Sequence, residues 1–464
     1  MLDFSILRHL SPIWLFVALT VCTAVCIAFA YIVVSPWRCL LAWAATIGFQ
    51  VEVTQLHLGL SDLFVIPLAL WTLLYAVEDK VRLAPVFRLF LVFSGVFLTW
   101  SNLVTVVRIG YLPAWTYLNK DVGLCEMLVC LGAIVSIADS RIKIQQLVHA
   151  FVAGGGILNL LGITLMLFSI TTGIGGFVLY GGLRYRGFLL DPNAWAGFLA
   201  VVAILQFCLL FEQGNSLLIL IQWGNLALLI AGIVLSMSRS GIVSLLIGLA
   251  VIAVFVDKKR GRRIYATVIC VVPVVFIPLL LTGEFQQVSD RILQASSISE
   301  RMLINSAGLS MYMDSWSTYL FGLGIGTFLE KADASFSVIN QIHNTYIWLL
   351  VEGGPLLIML FVVGLVRALR QSANAVRGTN GLSLYAIGAF ASIVSCLIFF
   401  TAIEGLYQRQ VWLLLGLADL LWLGYNRPSF QPQRLISLRL EQGVECDSAN
   451  YSAGSSSKLR RSFL

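Results

Sequence analysis

Arginines beside helix starts, with a histidine further along, are the residues whose type and spacing could do chemistry in this chain. The first group is Arg184-Tyr185-Arg186-Gly187-Phe188-Leu189-Leu190-Asp191-Pro192-Asn193. Asp191 reads as a helix N-cap with Pro192 at the first helical position. That accounts for those two residues but not for Arg184 and Arg186, and a helix N-terminus beside arginine is an anion site. The second group, Ser236-Met237-Ser238-Arg239-Ser240-Gly241, is a tight turn between two apolar runs. Ser238 or Ser240 can cap the second run, and Arg239 sits at the edge of the apolar region, where an ionisable residue is a functional candidate. The third group offers Arg291, Glu300 and Arg301, then Gly322-Leu323-Gly324-Ile325-Gly326, then Gln341-Ile342-His343-Asn344. Of the four histidines, His343 alone opens an apolar run directly after a long polar stretch. Imidazole accepts protons near neutral pH. His9, His57 and His149 read as structural.

These residue types suit a diphosphate, because each guanidinium fork makes two charge-assisted hydrogen bonds. A diphosphate leaving group held by fixed cations can be displaced without a divalent ion. The glycines do not form a nucleotide loop, since no G-x-x-x-x-G-K-[ST] occurs. There is also no D-x-D carboxylate pair and no C-x-x-C, so neither a metal nor a cofactor is expected. The nine cysteines lie mostly inside apolar runs, for example Cys22, Cys26, Cys130, Cys270 and Cys396, and read as small packing residues; Cys446 stands alone in a polar tail.

The elements that carry these groups are membrane helices. The chain is 59% hydrophobic and only 11% charged, against roughly 25% charged in a soluble domain. It contains many apolar runs long enough to cross about 30 Å of hydrocarbon. The runs are continuous rather than alternating, which excludes a strand barrel. Spans are predicted near 12–34, 38–54, 58–77, 86–107, 122–138, 147–170, 193–211, 216–236, 241–256, 264–282, 343–366, 382–402 and 406–424. The expected fold is therefore an all-α polytopic membrane protein with about 12–13 transmembrane helices. The first run is longer than a signal-peptide core and reads as a retained helix.

The net charge of +7 indicates orientation rather than nucleic acid, because basic residues gather in short loops. Clusters at 258–263, 367–377, 80–88 and 141–143 share one side. Segments 171–192, 237–240 and 283–342 then face the other, outward side. The long segment 283–342 reads as a functional loop with helices of its own. No internal repeat of the kind common in transporters is apparent. Most charges lie at span ends; Glu52, Asp62, Glu126 and Asp419 are the exceptions weighed for a transporter. The chain divides into N-terminal helices (1–170), a core with the outward loop (171–425), and a disordered cytoplasmic tail (426–464).

Three stretches in order resemble the O-antigen ligase and polymerase superfamily of bacterial envelope glycosyltransferases. They are Arg186-Gly187-Phe188 with Asp191-Pro192-Asn193; Ser238-Arg239-Ser240; and Gly322-Leu323-Gly324 leading to His343-Asn344-Thr345-Tyr346 and Glu352-Gly353-Gly354. Arg301 matches an arginine that members often carry before the glycines. The resemblance covers about 180–365. It implies a GT-C-like membrane transferase of the bacterial inner (plasma) membrane, with its active site facing the periplasm or exterior. The implied donor is a glycan on undecaprenyl diphosphate. The implied acceptor is a lipid A-core sugar in a ligase, or another lipid-linked repeat unit in a polymerase for O-antigen or exopolysaccharide. Arg186, Arg239 and Arg301 would bind the diphosphate, and His343 would activate the acceptor hydroxyl. Arg184, Asn193, Asn344 and Glu352 would position. The loop 283–342 is short for a large acceptor-binding domain. From a different class, a polysaccharide transporter would instead depend on the acids within the spans.

If the Arg239 fork grips a diphosphate, a point charge cannot replace it. Arg239→Lys is expected to be nearly as damaging to glycan transfer as Arg239→Ala. Full activity in the lysine variant overturns bidentate binding.

Overall fold

A computed structural model describes residues 12–53, 56–172, 176–181, 184–212, 215–256, 296–333, 341–378 and 382–426. The predicted span 264–282, the basic cluster 258–263, Arg291, and the tail from 427 onward lie outside the described residues.

The protein is a multi-pass helical membrane protein. Among the described residues, six helical stretches are long and apolar enough to cross a bilayer, or seven if one bent pair counts as a single span. The N-terminal part comprises α1 (Pro12–Val33), α2 (Pro36–Thr46), α3 (Val65–Val77), α4 (Pro85–Val96), α5 (Asn102–Ile109), the short α6 (Ala114–Thr116), α7 (Val122–Ile137) and α8 (Arg141–Thr172). The core comprises α9 (Pro192–Leu209), α10 (Ser216–Leu235), α11 (Arg239–Phe255), α12 (Ser296–Met313), α13 (Trp316–Phe321), α14 (Thr327–Asp333), α15 (Thr345–Val376), α16 (Ser383–Phe399) and α17 (Arg409–Asn426). Within the long loop, residues 296–333 carry the three helices α12 to α14.

The expected span 38–54 does not form as one helix. α1 and α2 meet at 116°, because Pro36 cannot continue α1 and instead starts α2, with Ser35 capping Arg38 N at 3.5 Å. After Thr46 the chain forms an antiparallel hairpin of β1 (Gln50–Val53) and β2 (Leu56–Gly59). Gln50-Val51-Glu52-Val53 alternates polar and apolar, a period of two that suits a strand rather than a helix. A second small hairpin pairs β3 (Leu179–Tyr180) with β4 (Arg184–Tyr185).

α9 is the central helix: all of its residues are buried. It packs against α8, α10, α11 and α16. A second group joins α4, α7, α15 and α17, and the α15–α16 contact links the two groups. Helices in lipid gain little hydrophobic free energy from one another, so close van der Waals fit and small residues hold them together. Gly241 of α11 sits on Ala196 of α9, and Gly197 of α9 sits under the Phe399 ring of α16.

Two acids read as span residues have structural partners. Asp419 of α17 accepts Val86 N at 3.0 Å and Phe87 N at 2.8 Å, capping the first turn of α4, which has orphan N–H groups. Asp62 binds Arg409 with both oxygens, at 2.8 and 2.6 Å, and accepts Gly59 N at 2.6 Å. His149, read as structural, pairs with Glu212 at 3.5 Å.

Candidate functional site at one end of the bundle

The first two predicted groups form one cluster. Asp191 caps α9, accepting Asn193 N at 2.7 Å and Ala194 N at 3.0 Å, with Pro192 at the first position. Ser238 caps α11 by accepting Gly241 N at 3.3 Å. The Asn193 side-chain carbonyl joins them: it accepts from Ser238 Oγ at 3.0 Å and from Arg184 Nη2 at 3.2 Å. Arg184 Nε also donates to Ser236 O at 3.2 Å. Arg186 donates to Phe177 O at 2.8 Å and to Leu190 O at 3.5 Å, so its fork is oriented by carbonyls of its own loop. Arg239 is the first residue of α11 and is half-buried. Two adjacent helix N-termini and three arginines therefore share one corner, an arrangement that favours an anion.

Arg301 and Thr345, the latter two residues after His343, meet a different segment, 400–405, between α16 and α17. Arg301 Nη1 donates to Ala402 O at 3.1 Å. Thr345 N donates to Phe400 O at 2.9 Å, and the Thr345 hydroxyl donates to Ile403 O and accepts from Gly405 N, both at 2.7 Å. His343 lies two residues before Thr345 and is half-buried. Asn344 is the N-cap of α15, accepting Tyr346 N at 3.0 Å and Ile347 N at 3.1 Å. Since Phe399 packs on Gly197, one turn into α9 from Asn193, both groups lie at the same end of the bundle.

The glycine motif and the Glu352 motif clasp each other. α15 breaks at Gly354, whose φ of 76° and ψ of 178° no helix contains, and Pro355 follows. Proline has no N–H for Val351 O, and the break leaves Glu352 O without its helical donor. Leu323 N fills the first vacancy at 2.8 Å and Gly324 N the second at 2.9 Å. Gly322 and Gly324 have φ of 76° and 89°, and a side chain on Gly322 would collide with the Glu352 backbone. The buried Glu352 carboxylate accepts Trp348 Nε1 at 2.7 Å and Phe328 N at 3.3 Å. Glu352 thus fastens α14 to α15. Outside the spans, Tyr111 donates to Glu330 at 3.0 Å, and this hydrogen bond and charge raise its phenol pKa.

Sequence reasoning missed Lys120 and Glu404. They form an ion pair, each side chain only 9% exposed. The Lys120 ammonium also lies 4.7 Å from the Tyr407 ring centre and 5.0 Å from that of Trp348. Lys120 belongs to a π-helical turn, Tyr117–Asp121, and a second one spans Phe97–Ser101; such turns recur at functional sites. Asn102, just after the second, donates to Asp121 at 2.8 Å. Lys120 lies just before the predicted span 122–138 and Glu404 between the spans 382–402 and 406–424, so no span pattern singles them out. The π-helical turn is a signal no sequence period reveals.

The fold defines a polytopic helical membrane protein, with a cluster of arginines at one end of its bundle. Residues 224–362 match the family model of the O-antigen ligase. The match spans Arg239, Arg301, His343, Asn344 and Glu352, and supports the chain's place in the O-antigen ligase and polymerase superfamily, hence a membrane enzyme that transfers glycan. No curated protein matches the chain.

Glu404 lies on the segment that receives both Arg301 and Thr345, and its loss would strand a buried ammonium. Glu404→Gln is expected to cost about 3–5 kcal/mol, read as a lowered Tm of the detergent-solubilised protein. Lys120→Met in the same background should recover part of it. An unchanged Tm in Glu404→Gln overturns this account.

Proposed function

We propose that this protein transfers a glycan from an undecaprenyl-diphosphate carrier to an acceptor hydroxyl at the outer face of the bacterial plasma membrane, most like an O-antigen ligase. Arg186, Arg239 and Arg301 hold the diphosphate. His343 takes the proton of the acceptor hydroxyl. That oxygen bonds to the anomeric carbon, and the bond from that carbon to the diphosphate oxygen breaks with its electron pair leaving on the diphosphate. The guanidinium forks and the N-termini of α9 and α11 stabilise the charge, so no metal is required. Arg184 and Asn193 position the arginine corner; Asn344 and Glu352 position the start of α15 that follows His343.

The observation that carries this reading is the Arg184–Asn193–Ser238 network, at the same end of the bundle as Arg301 and His343. A repeat-unit polymerase is the alternative, with the same donor chemistry and a second lipid-linked unit as acceptor. The transporter reading loses support because Asp62 and Asp419 are engaged in structural contacts.

The test is a gel of envelope glycans from a deletion strain carrying wild type or His343→Ala. Long chains accumulating on the carrier with none on an acceptor support a ligase. Single repeat units without long chains support a polymerase. A wild-type profile overturns the site. Transfer by purified protein should persist in EDTA; loss restored by magnesium overturns the metal-free part.

A further inference from the structure

We propose a binding site for one anionic phospholipid between α4 and α15, at the end of the bundle opposite the transfer site. Arg367 lies 22 residues after Thr345 on α15, beyond the break at Gly354, a contour of about 33 Å at 1.5 Å per helical residue, which is long enough to reach the other side of a hydrocarbon core of roughly 30 Å. Arg367 and Arg370 are three residues apart and so share one helix face. Together with Arg88 of α4 they line a groove of about 700 Å³. All three side chains are exposed. Among the described residues, no hydrogen bond or ion pair engages the Arg88 or Arg370 guanidinium; Arg367 also interacts electrostatically with Asp419.

The groove is graded as an amphiphile requires. From the end of the bundle inward, α4 presents Arg88, then Leu89 and Val92, while α15 presents Arg370 and Arg367, then Val366 and Val362. Three cations rim the mouth and aliphatic side chains line the depth. Arg88 also borders an adjoining cavity of about 790 Å³ that contains Lys80 and Arg82. Asp79 and Asp139 face that cavity as well, but Asp139 is paired with Lys143 at 2.9 Å. A bilayer-wide excess of basic residues on one side would explain scattered arginines. It does not bring three from two distant helices to one apolar groove, the form of basic pocket between helices that suits a lipid phosphate. An acyl chain would lie along the valines with its phosphodiester on the arginines.

The inference is independent of the transfer reading. Native mass spectrometry of the full chain, released from nanodiscs of phosphatidylglycerol and phosphatidylcholine, tests it. One phosphatidylglycerol should be retained per protein, with affinity falling about five-fold for each of Arg88→Ala, Arg367→Ala and Arg370→Ala. Val366→Trp, which fills the groove and leaves the arginines, should also abolish retention. Equal retention of phosphatidylcholine, unchanged retention in the triple alanine variant or in Val366→Trp, or displacement by millimolar inorganic phosphate overturns the proposal; the last result would mean a site for free phosphate alone.

Discussion

Backbone polar groups inside a bilayer have no water to turn to, so every break in a membrane helix needs a donor or acceptor from elsewhere in the protein. The break at Gly354-Pro355 in α15 is the point where this constraint shapes the molecule. It frees Val351 O and Glu352 O, and the backbone N–H groups of Leu323 and Gly324 take them. The chain that carries α12 to α14 is thereby fixed against α15, and with it the distance between Arg301 and the start of α15 beyond His343. The Glu352 carboxylate adds Trp348 and Phe328 to the same junction. The Gly322-Leu323-Gly324 run is, in space, the backbone repair of a bent helix.

A second constraint, the orphan N–H groups of helix starts, organises the other half of the site. α9 and α11 begin side by side, capped by Asp191 and Ser238, and Asn193 ties the caps together. Because α9 is buried along its whole length, the corner it presents is rigid. A preorganised cationic corner need not reorganise when negative charge develops on a leaving group, which is where electrostatic catalysis gains most. The segment 400–405 connects this corner to Arg301 and Thr345, and Lys120 anchors that segment through Glu404. The N-terminal helices thus support the site, although the matched family segment begins only at residue 224.

Helix identity was largely legible in the sequence, because continuous apolar runs have one solution in lipid. The caps Asp191, Ser238 and Asn344 were legible for a similar reason: short polar side chains before apolar runs have few other uses. The failure at 38–54 was local. The break at Pro36 fell between two predicted spans, but the alternation around Glu52 was outweighed by overall hydropathy. Glu352 and Asn344 were read as candidates to position substrate; the geometry shows what each holds in the protein itself. Lys120 and Glu404, separated by 284 residues, could not be paired from any spacing.

The sequence by itself determined that this is a membrane protein of many helices, where most of those helices begin, and which short polar side chains cap them. Those properties follow from burial of apolar runs and from capping, which act over a few residues. Only the tertiary structure decided that the Arg184 and Ser238 groups form one corner, that the glycines repair the bend at Gly354, that Asp62 and Asp419 are bound to structural partners, and that Lys120 meets Glu404. Each of these depends on which distant helices touch, and that is set by side-chain fit and by the need to satisfy buried polar groups, neither of which leaves a periodic mark along the chain.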